Sequence, residues 1–367
     1  MRQFWVILGA FFALVIAYLL LWPVVIDPVA WDPPADPGYV GVHAPNQRLA
    51  RMQVLPMPKH SGPEDVAVGP DGGLYVSTHE GAVLRYAGTS SSAETFVDTG
   101  GRPLGLDFDG NGRLWVADGY RGLLSVAPDG SIREEVTRVD GEPVGFADDL
   151  DVASDGTVYF TDASTKFSPR DHGGTYPASL LDIFEHQGHG RVYAYRPSDG
   201  SIRTLAANLQ FANGVALCPD EQCLLVAETG LYRILEIAIP SGEVRVLVDN
   251  LPGFPDNVET AGDGVYWIGL VSARSRPVDG LAPHPWLRKL VQRLPAFIRP
   301  KAVPYPHLIA LDAEGEVLAD LQAPGLDYAT ITGARPWRGH LVVTSLTADR
   351  LGYLRGAAKT ATTAAVR

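Results

Sequence analysis

Residues 65–77, DVAVGPDGGLYVS, decide the fold because the chain repeats their pattern. A short apolar strand is followed by a Gly/Asp turn and then by an apolar triplet, which usually has an aromatic residue at its centre. Six triplets of this kind follow one another, centred on Tyr75, Trp115, Tyr159, Leu225, Tyr266 and Val342. A repeat of about 40 residues is typical of a β-propeller, in which each repeat forms one four-stranded blade.

We therefore predict an all-β fold, a six-bladed β-propeller over residues 48–355. The chain has 39 glycines and 29 prolines spread along its length, which indicates many turns and short strands. Neither a long amphipathic helical pattern nor a βαβ alternation is visible, and a β-sandwich would not repeat one unit six times. Residues 356–367 are predicted to form a flexible tail.

The N-terminal segment predicts a membrane helix. Residues 4–26 carry no charge and are long enough to cross about 30 Å of hydrocarbon. Residues 1–26 are therefore interpreted as a cytoplasmic stub and a transmembrane signal-anchor. A cleaved signal peptide is the alternative, but the apolar run is long for one and no clear cleavage site follows.

The charges beside this segment predict its orientation. Arg2 precedes it, whereas Asp27, Asp32 and Asp36 follow it. The positive-inside rule then places the propeller on the non-cytoplasmic side, which is periplasmic, lumenal or extracellular. The proline-rich residues 27–47 are predicted to be a stiff linker that holds the propeller away from the bilayer.

Cys218 and Cys223 flank a predicted hairpin turn. They either form a disulfide across the turn, as an oxidising compartment permits, or pack as two small apolar residues in neighbouring strands.

Two insertions interrupt the repeats. Residues 166–190 are polar and contain His172, His186 and His189. Residues 276–304 contain a basic amphipathic stretch at 284–299, which predicts a lid helix on the propeller rim, a helix on the membrane surface, or both.

Overall charge limits the classes of partner. The formal net charge is −12, and no basic run suggests a phosphate-binding surface, so nucleic acid is excluded as a partner.

Polar residues stand at equivalent places before the first strands of four repeats. Counting back from the triplet centres gives Glu64, Asp148, Asn213 and Asp256, while the second repeat has Leu104. The innermost strand of each blade lines the central channel, so these side chains should converge on one axis. Carboxylate and amide oxygens suit a hard cation such as Ca²⁺. The alternative is that each residue caps its own turn.

Several segments resemble strictosidine synthase-like proteins, and the N-terminal anchor further resembles the adipocyte plasma membrane-associated protein branch. The matching segments are FADDLDV at 146–152, VYFTDAST at 158–165, NGVAL at 213–217, VAET at 226–229 and LPGFPDN at 251–257. The wider superfamily includes calcium-dependent lactonases of the gluconolactonase and paraoxonase type.

The resemblance implies a ligand set. Glu64, Asn213 and Asp256 match metal ligands of those hydrolases, and Asn257 matches a further ligand of paraoxonase-like members. Asp148 stands where the lactonases have asparagine, and Asp149 is a possible substitute for it. The glutamate that serves strictosidine synthases as acid/base has no counterpart in residues 328–331, and Asp327 is close but off register.

The leading hypothesis is a membrane-anchored, calcium-dependent hydrolase of lactones or aryl esters, with Asp256 or Asp148 as the general base. The lid histidines would shape its specificity. One alternative is a non-catalytic binding propeller with a structural metal. The other, amine–aldehyde condensation, is disfavoured by the missing glutamate.

Overall fold

The computed structural model describes residues 1–89, 92–262 and 264–356. Six four-stranded antiparallel sheets follow one another around a central channel, and the innermost strands of neighbouring sheets contact each other around the full circle. This confirms the predicted six-bladed β-propeller. Residues 357–367, which make up nearly all of the predicted flexible tail, lie outside the described residues.

The first strand, β1 (Gln53–Pro56), belongs to the last blade. Blade 1 consists of β2 (Val66–Val68), β3 (Leu74–Ser77), β4 (Ala82–Tyr86) and β5 (Glu94–Asp98). Blade 2 consists of β6 (Pro103–Phe108), β7 (Leu114–Asp118), β8 (Gly122–Val126) and β9 (Ile132–Val136), followed by a small hairpin of β10 (Arg138–Val139) and β11 (Glu142–Pro143). Blade 3 consists of β12 (Ala147–Val152), β13 (Val158–Asp162), β14 (Gly190–Arg196) and β15 (Ser201–Leu209).

The second half of the propeller follows the same scheme. Blade 4 consists of β16 (Ala212–Leu217), β17 (Cys223–Glu228), β18 (Arg233–Ala238) and β19 (Val244–Val248). Blade 5 consists of β20 (Gly253–Thr260), β21 (Tyr266–Ala273), β22 (His307–Leu311) and β23 (Val317–Gln322). Blade 6 consists of β24 (Ile331–Trp337), β25 (His340–Ser345), β26 (Arg350–Arg355) and β1, so the N-terminal strand closes the ring.

The innermost strands are irregular at equivalent positions. The pairing register of β6, β12, β16, β20 and β24 with the next strand shifts near the start of each strand. Such bulges leave residues without a strand partner and redirect their side chains. The first unpaired residues are Leu104, Asp148, Asn213, Asp256 and Thr332, and Glu64 has the same offset from β2. The spacing inferred from the sequence is therefore confirmed by the strand register.

Close approach of neighbouring strands explains the glycine that follows Asn213. A Cβ atom on Gly214 would lie 2.3 Å from the backbone nitrogen of Val258 in the next blade. Any larger residue would push blades 4 and 5 apart at the channel.

The N-terminal helix is shorter than the apolar run predicted. Helix α1 (Arg2–Leu21) has 20 residues, a mean hydropathy of 2.6 over its most apolar window and no buried residue, so it is long and apolar enough to cross a membrane. Pro23 disfavours helical backbone at Trp22, which is extended. Residues 22–26 therefore lie outside the helix, and Ile26 is buried against the propeller.

The linker lies against the propeller, and its role in holding the propeller away from a bilayer stays a prediction. Its backbone accepts hydrogen bonds from Arg274 at Pro34 (2.7 Å) and from Asn250 at Ala35 (3.0 Å). Near its start, the backbone N–H of Asp27 donates to a carboxylate oxygen of Glu185 at 2.6 Å.

Three helices lie above the channel within the two insertions. They are α2 (Thr175–Glu185), α3 (Arg276–Leu281) and α4 (Pro285–Gln292). Arg288 of α4 is buried, not solvated as a basic surface helix would suggest, and donates to main-chain oxygens of Phe184, Val29 and Ala282. The guanidinium of Arg288 thus bonds to both insertions and to the linker. These bonds hold α4 against the propeller, as predicted for a lid helix.

Cys218 and Cys223 form a disulfide across the turn between β16 and β17, so the first of the two alternatives holds. The backbone N–H of Cys218 donates to the carbonyl oxygen of Cys223 at 2.9 Å, as expected for a hairpin.

Candidate functional site

A cavity of about 450 Å³ lies between the channel and the lid helices. Its floor contains Glu64, Asp148, Asn213 and Asp256, so the structure brings together four of the five predicted ligands. Its walls are mostly apolar and include Phe146, Phe211 and Phe254. A small polar region inside an apolar cavity of this size is typical of sites for small organic molecules.

The floor carboxylates are buried together, which favours their protonated forms. Burial, followed by the charge of Asp256, raises the pKa of Glu64 to about 8, although the charge of Arg102 opposes the shift. Burial raises the pKa of Asp256 to about 7, against a smaller effect of the Asn213 amide. Burial, and then the charges of Glu64 and Asp256, hold the pKa of Asp148 well above its ordinary value.

Oxygens in and beside the floor lack partners. Glu64 Oε2, Asn213 Oδ1 and Asn257 Oδ1 are buried without a hydrogen-bond partner. In the described part of the chain, no lysine, arginine or histidine forms an ion pair with Glu64, Asp148 or Asp256. Unpaired buried oxygens are costly, and this set of donors, carboxylates with amides, suits a hard divalent cation.

Asn257, the fifth predicted ligand, lies beside the cavity and not in its lining. Its side-chain nitrogen donates to the main-chain oxygen of Glu64 at 3.0 Å, and Thr332 donates to the same oxygen at 2.6 Å. Asn257 therefore positions the Glu64 backbone, while its own Oδ1 has no partner.

The structure distinguishes the roles of Asp148 and Asp149. Asp148 faces the cavity, whereas Asp149 accepts backbone N–H bonds from Leu150 and from Val215 of blade 4, both at 2.8 Å. Asp65 joins blades 1 and 2 in the same way, through the backbone N–H of Leu106 at 2.6 Å. Asp149 therefore links blade 3 to blade 4, whereas Asp148 is the carboxylate that a ligand in the cavity can reach.

Two other carboxylates of the channel have an ion-pair partner within the protein. Arg335 of blade 6 lies 2.6 Å from Glu259 of blade 5 and 3.5 Å from Asp107 of blade 2. These carboxylates differ from those of the cavity floor in having a guanidinium partner, although burial still holds the pKa of Glu259 well above its ordinary value.

Arg102 is a residue that sequence reasoning missed. It is fully buried, two of its nitrogens have no hydrogen-bond partner, and its charge lowers the pKa of Glu64. It precedes the bulge of blade 2 by two residues, and the repeat pattern singles out Leu104 there instead. No sequence signal marks it.

The last blade contributes Thr330 to the cavity. Asp327 is not part of the lining; it is exposed and paired with Arg350 at 3.2 Å.

Only one of the three lid histidines reaches the cavity. His172 is part of its lining. His186 is buried and stacks on Trp31 of the linker with ring centroids 4.0 Å apart, and His189 contacts Glu185 at 2.8 Å. His186 and His189 hold the lid in place, which is a different role from the predicted one.

Among the described residues, one further cluster could hold a metal by its residue types: His43, His307 and Asp320, whose ligand atoms lie within 4.8 Å of one another. Both imidazoles lie 2.7 Å from the same carboxylate oxygen of Asp320. Burial would raise the pKa of Asp320, but the hydrogen bonds from His307 and His43 outweigh it and hold that pKa well below its ordinary value. These contacts fasten the linker to blade 5.

The fold and site define a class: a six-bladed propeller with a buried acidic group at the axis, under a lid. Similar folds are seen in a gluconolactonase from Xanthomonas campestris (22% identical, TM-score 0.61, covering 91% of this chain and 99% of that one). The calcium-binding protein regucalcin from Agrobacterium tumefaciens is a second case (13% identical, TM-score 0.57, covering 82% and 90%). At these identities the similarity shows the fold alone.

Sequence comparison shows the family. Residues 148–241 match strictosidine synthase, and residues 41–86 match the N-terminal region of strictosidine synthase-like proteins. The adipocyte plasma membrane-associated protein of Danio rerio is 33% identical over 360 residues, covering 90% of this chain and 84% of that protein. The chain belongs to the strictosidine synthase-like family that includes the adipocyte plasma membrane-associated proteins.

A matched pair of substitutions separates the two neighbouring aspartates. Asp149→Asn should lower the free energy of unfolding by about 1–3 kcal/mol, because asparagine keeps only one of the two oxygens that accept from Leu150 and Val215 and so leaves one buried backbone N–H without a partner. Asp148→Asn should leave stability in chelator unchanged or higher and weaken Ca²⁺ binding. Chemical denaturation and calcium titration calorimetry measure both effects. The reverse assignment of the two effects would contradict these roles.

The raised pKa values predict how stability depends on pH. In chelator, the free energy of unfolding should fall as the pH rises from about 4 to about 8, because the folded protein keeps protons that the unfolded chain releases. Glu64→Gln removes one of these groups, so it should reduce the slope and raise stability at about pH 8 by on the order of a few kcal/mol.

Denaturation curves across this pH range provide the measurement, with Glu243→Gln as the control at an exposed carboxylate. A slope that Glu64→Gln leaves unchanged would show that Glu64 titrates normally.

Proposed function

We propose that this protein is a membrane-anchored, divalent-cation-dependent hydrolase of lactones or aryl esters, with calcium as the preferred ion. The observation that carries the proposal is the cavity floor, where Glu64, Asp148 and Asp256 are buried together without a cationic partner. The names of the gluconolactonase and regucalcin neighbours support a lactone substrate and calcium, respectively.

The chain's own residues suit this chemistry. Glu64, Asp148, Asn213 and Asp256 would hold the ion, and Asn257 keeps the Glu64 backbone in position. A bound divalent cation would supply Lewis-acid polarisation of a substrate carbonyl. The apolar walls and the lid would exclude bulk water and orient the organic part of the substrate.

A proton acceptor is also present on the floor. Asp256 and Asp148 are the candidates for the general base that takes a proton from the attacking water at a carboxylate oxygen. Thr330 stands in the segment that would carry a synthase-type glutamate, so the cavity lacks that group for amine–aldehyde condensation.

We propose that the protein contacts the membrane through α1 and through residues 284–299, with the propeller on the non-cytoplasmic side. Arg2 before the helix and the aspartates after it support this orientation. The Cys218–Cys223 disulfide supports it too, since such bonds persist in oxidising compartments.

Hydrolysis should require a divalent cation. We expect the purified full-length protein to hydrolyse members of a phenyl ester and lactone panel, to lose this activity in EDTA and to regain it with Ca²⁺. Asp256→Asn should lower kcat/KM by about 10²–10⁴-fold, the range for removal of a general base. Asp199→Asn, on an exposed turn, is the matched control.

Activity that persists in EDTA would contradict the metal role. Absence of turnover across the panel, with a lower unfolding temperature in EDTA, would favour the non-catalytic binding propeller instead.

The orientation is tested with a reporter. Alkaline phosphatase, which folds only where disulfides form, is fused after Arg355 and compared with the same enzyme fused before Met1. The C-terminal fusion should be active and the N-terminal one inactive. The opposite result would place the propeller in the cytoplasm.

A further inference from the structure

We propose that the mouth of the cavity faces the bilayer and that the substrates are lipophilic lactones or esters that enter from the membrane. The proposal rests on the proposed function and specifies its substrate class.

The first observation is that one cavity connects the acidic floor with the membrane anchor. Its lining includes Val25, which lies just beyond the end of α1 at Leu21 and is 54% exposed. Ala296 and Lys301 also line it and are exposed. The cavity therefore opens beside the C-terminal end of the anchor, where the helix would leave the bilayer.

The second observation is the apolar path between these ends. Ile26 belongs to one buried cluster with Leu104, Phe146 and Phe211, and Val24 packs against that cluster. Phe146, Phe211 and Leu104 also line the cavity above the floor. An alkyl chain entering at Val25 would thus contact apolar side chains as far as the carboxylates.

The third observation concerns the exposed apolar residues next to the mouth, here called the mouth rim: Trp22, Trp286, Phe297 and Ile298. After α1, the exposed aromatic side chains among the described residues are Trp22, Trp286 and Phe297, with exposures of 59%, 62% and 78%. Ile298 beside Phe297 is 55% exposed. None of these four residues lines the cavity itself, but Phe297 and Ile298 follow Ala296 of its lining, Trp286 lies in α4, whose last residue Gln292 lines it, and Trp22 shortly precedes Val25. Exposed aromatic residues are costly in water, but they are favourable at a membrane interface.

The fourth observation fixes this rim relative to the anchor. Arg293, which follows α4, donates to the main-chain oxygens of Leu19 (3.1 Å) and Trp22 (2.6 Å), and Tyr18 donates to the main-chain oxygen of Arg293 at 3.1 Å. Lys289 pairs with Asp27 at 2.6 Å. The rim is thus held at the level at which the anchor ends, and the bilayer is the surface that covers it.

These contacts also suit the headgroup region. Lys289, Arg293, Arg299 and Lys301 lie in or beside the rim, and cations attract anionic lipid headgroups. A substrate that partitions into the bilayer would reach the mouth by lateral diffusion, with its carbonyl near the headgroups and its chain among the acyl chains.

Two measurements on the full-length chain in phosphatidylcholine–phosphatidylglycerol liposomes test the proposal. First, Phe297→Cys is labelled with a polarity-sensitive fluorophore, with Val244→Cys on the outer strand of blade 4 as the control. The native cysteines do not compete because they form a disulfide. We expect quenching by doxyl-labelled lipids at position 297 and quenching by aqueous iodide at position 244.

The second measurement compares binding of fluorescent dodecyl and methyl lactams, which are non-hydrolysable analogues of lactones and need no turnover. The double variant Trp286→Ser/Phe297→Ser should weaken dodecyl lactam binding in liposomes by about tenfold and leave methyl lactam binding unchanged. Val244→Ser/Val246→Ser, at equally apolar but remote exposed positions, is the control.

Iodide quenching at position 297 equal to that at position 244 would overturn membrane contact of the rim. Equal effects of the rim variant on both lactams, or no effect on either, would overturn lipophilic entry. Lactam binding with the expected pattern but no ester hydrolysis would support this entry route and count against the proposed hydrolase function alone.

Discussion

The buried negative charge at the propeller axis is the constraint on which the rest of the structure depends. Glu64, Asp148 and Asp256 lie out of bulk water within one small cavity, and their pKa values are raised. The positive charge of Arg102 lowers the pKa of Glu64, but burial and the charge of Asp256 outweigh this effect. Elsewhere in the channel, Arg335 forms ion pairs with Glu259 and Asp107, although burial still holds the pKa of Glu259 well above its ordinary value. These two carboxylates therefore have a guanidinium partner, whereas Glu64, Asp148 and Asp256 are left to protons or a cation.

Holding like charges together requires a rigid support, and the innermost strands provide it. Each bulge leaves one residue free to face the axis, and the next residue fixes the position of the strand. In blade 3 that next residue is Asp149, which bonds to the backbone of blade 4, and in blade 4 it is Gly214, which allows blade 5 to come close. The floor is therefore set before any ligand arrives, and preorganised polar groups of this kind are what stabilise charge in an active site.

The repeat made the fold and the floor predictable. In a propeller, residues at one offset in successive repeats meet at the axis, so spacing alone identified Glu64, Asp148, Asn213 and Asp256. Arg102 could not be found in this way, because it stands outside that offset in a blade whose axial residue is Leu104. The path of the linker was unpredictable for another reason: its contacts use main-chain oxygens, such as that of Pro34, and any sequence supplies these. His43 and Asp320 are far apart in the sequence, and they come into contact only because the linker folds back onto blade 5.

The lid connects the cavity floor to the position of α1. Arg288 is buried and donates to main-chain oxygens of α2, of the linker and of the α3–α4 turn, so these segments cannot move apart without leaving a buried guanidinium unpaired. Arg293 extends the same connection to the end of α1. Movement of α1 relative to the propeller would therefore disturb the cavity walls. If α1 spans a membrane and the cavity hydrolyses esters as proposed, the mouth would be fixed at the bilayer, and hydrophobicity of the substrate would influence its selection as much as the reactivity of its ester.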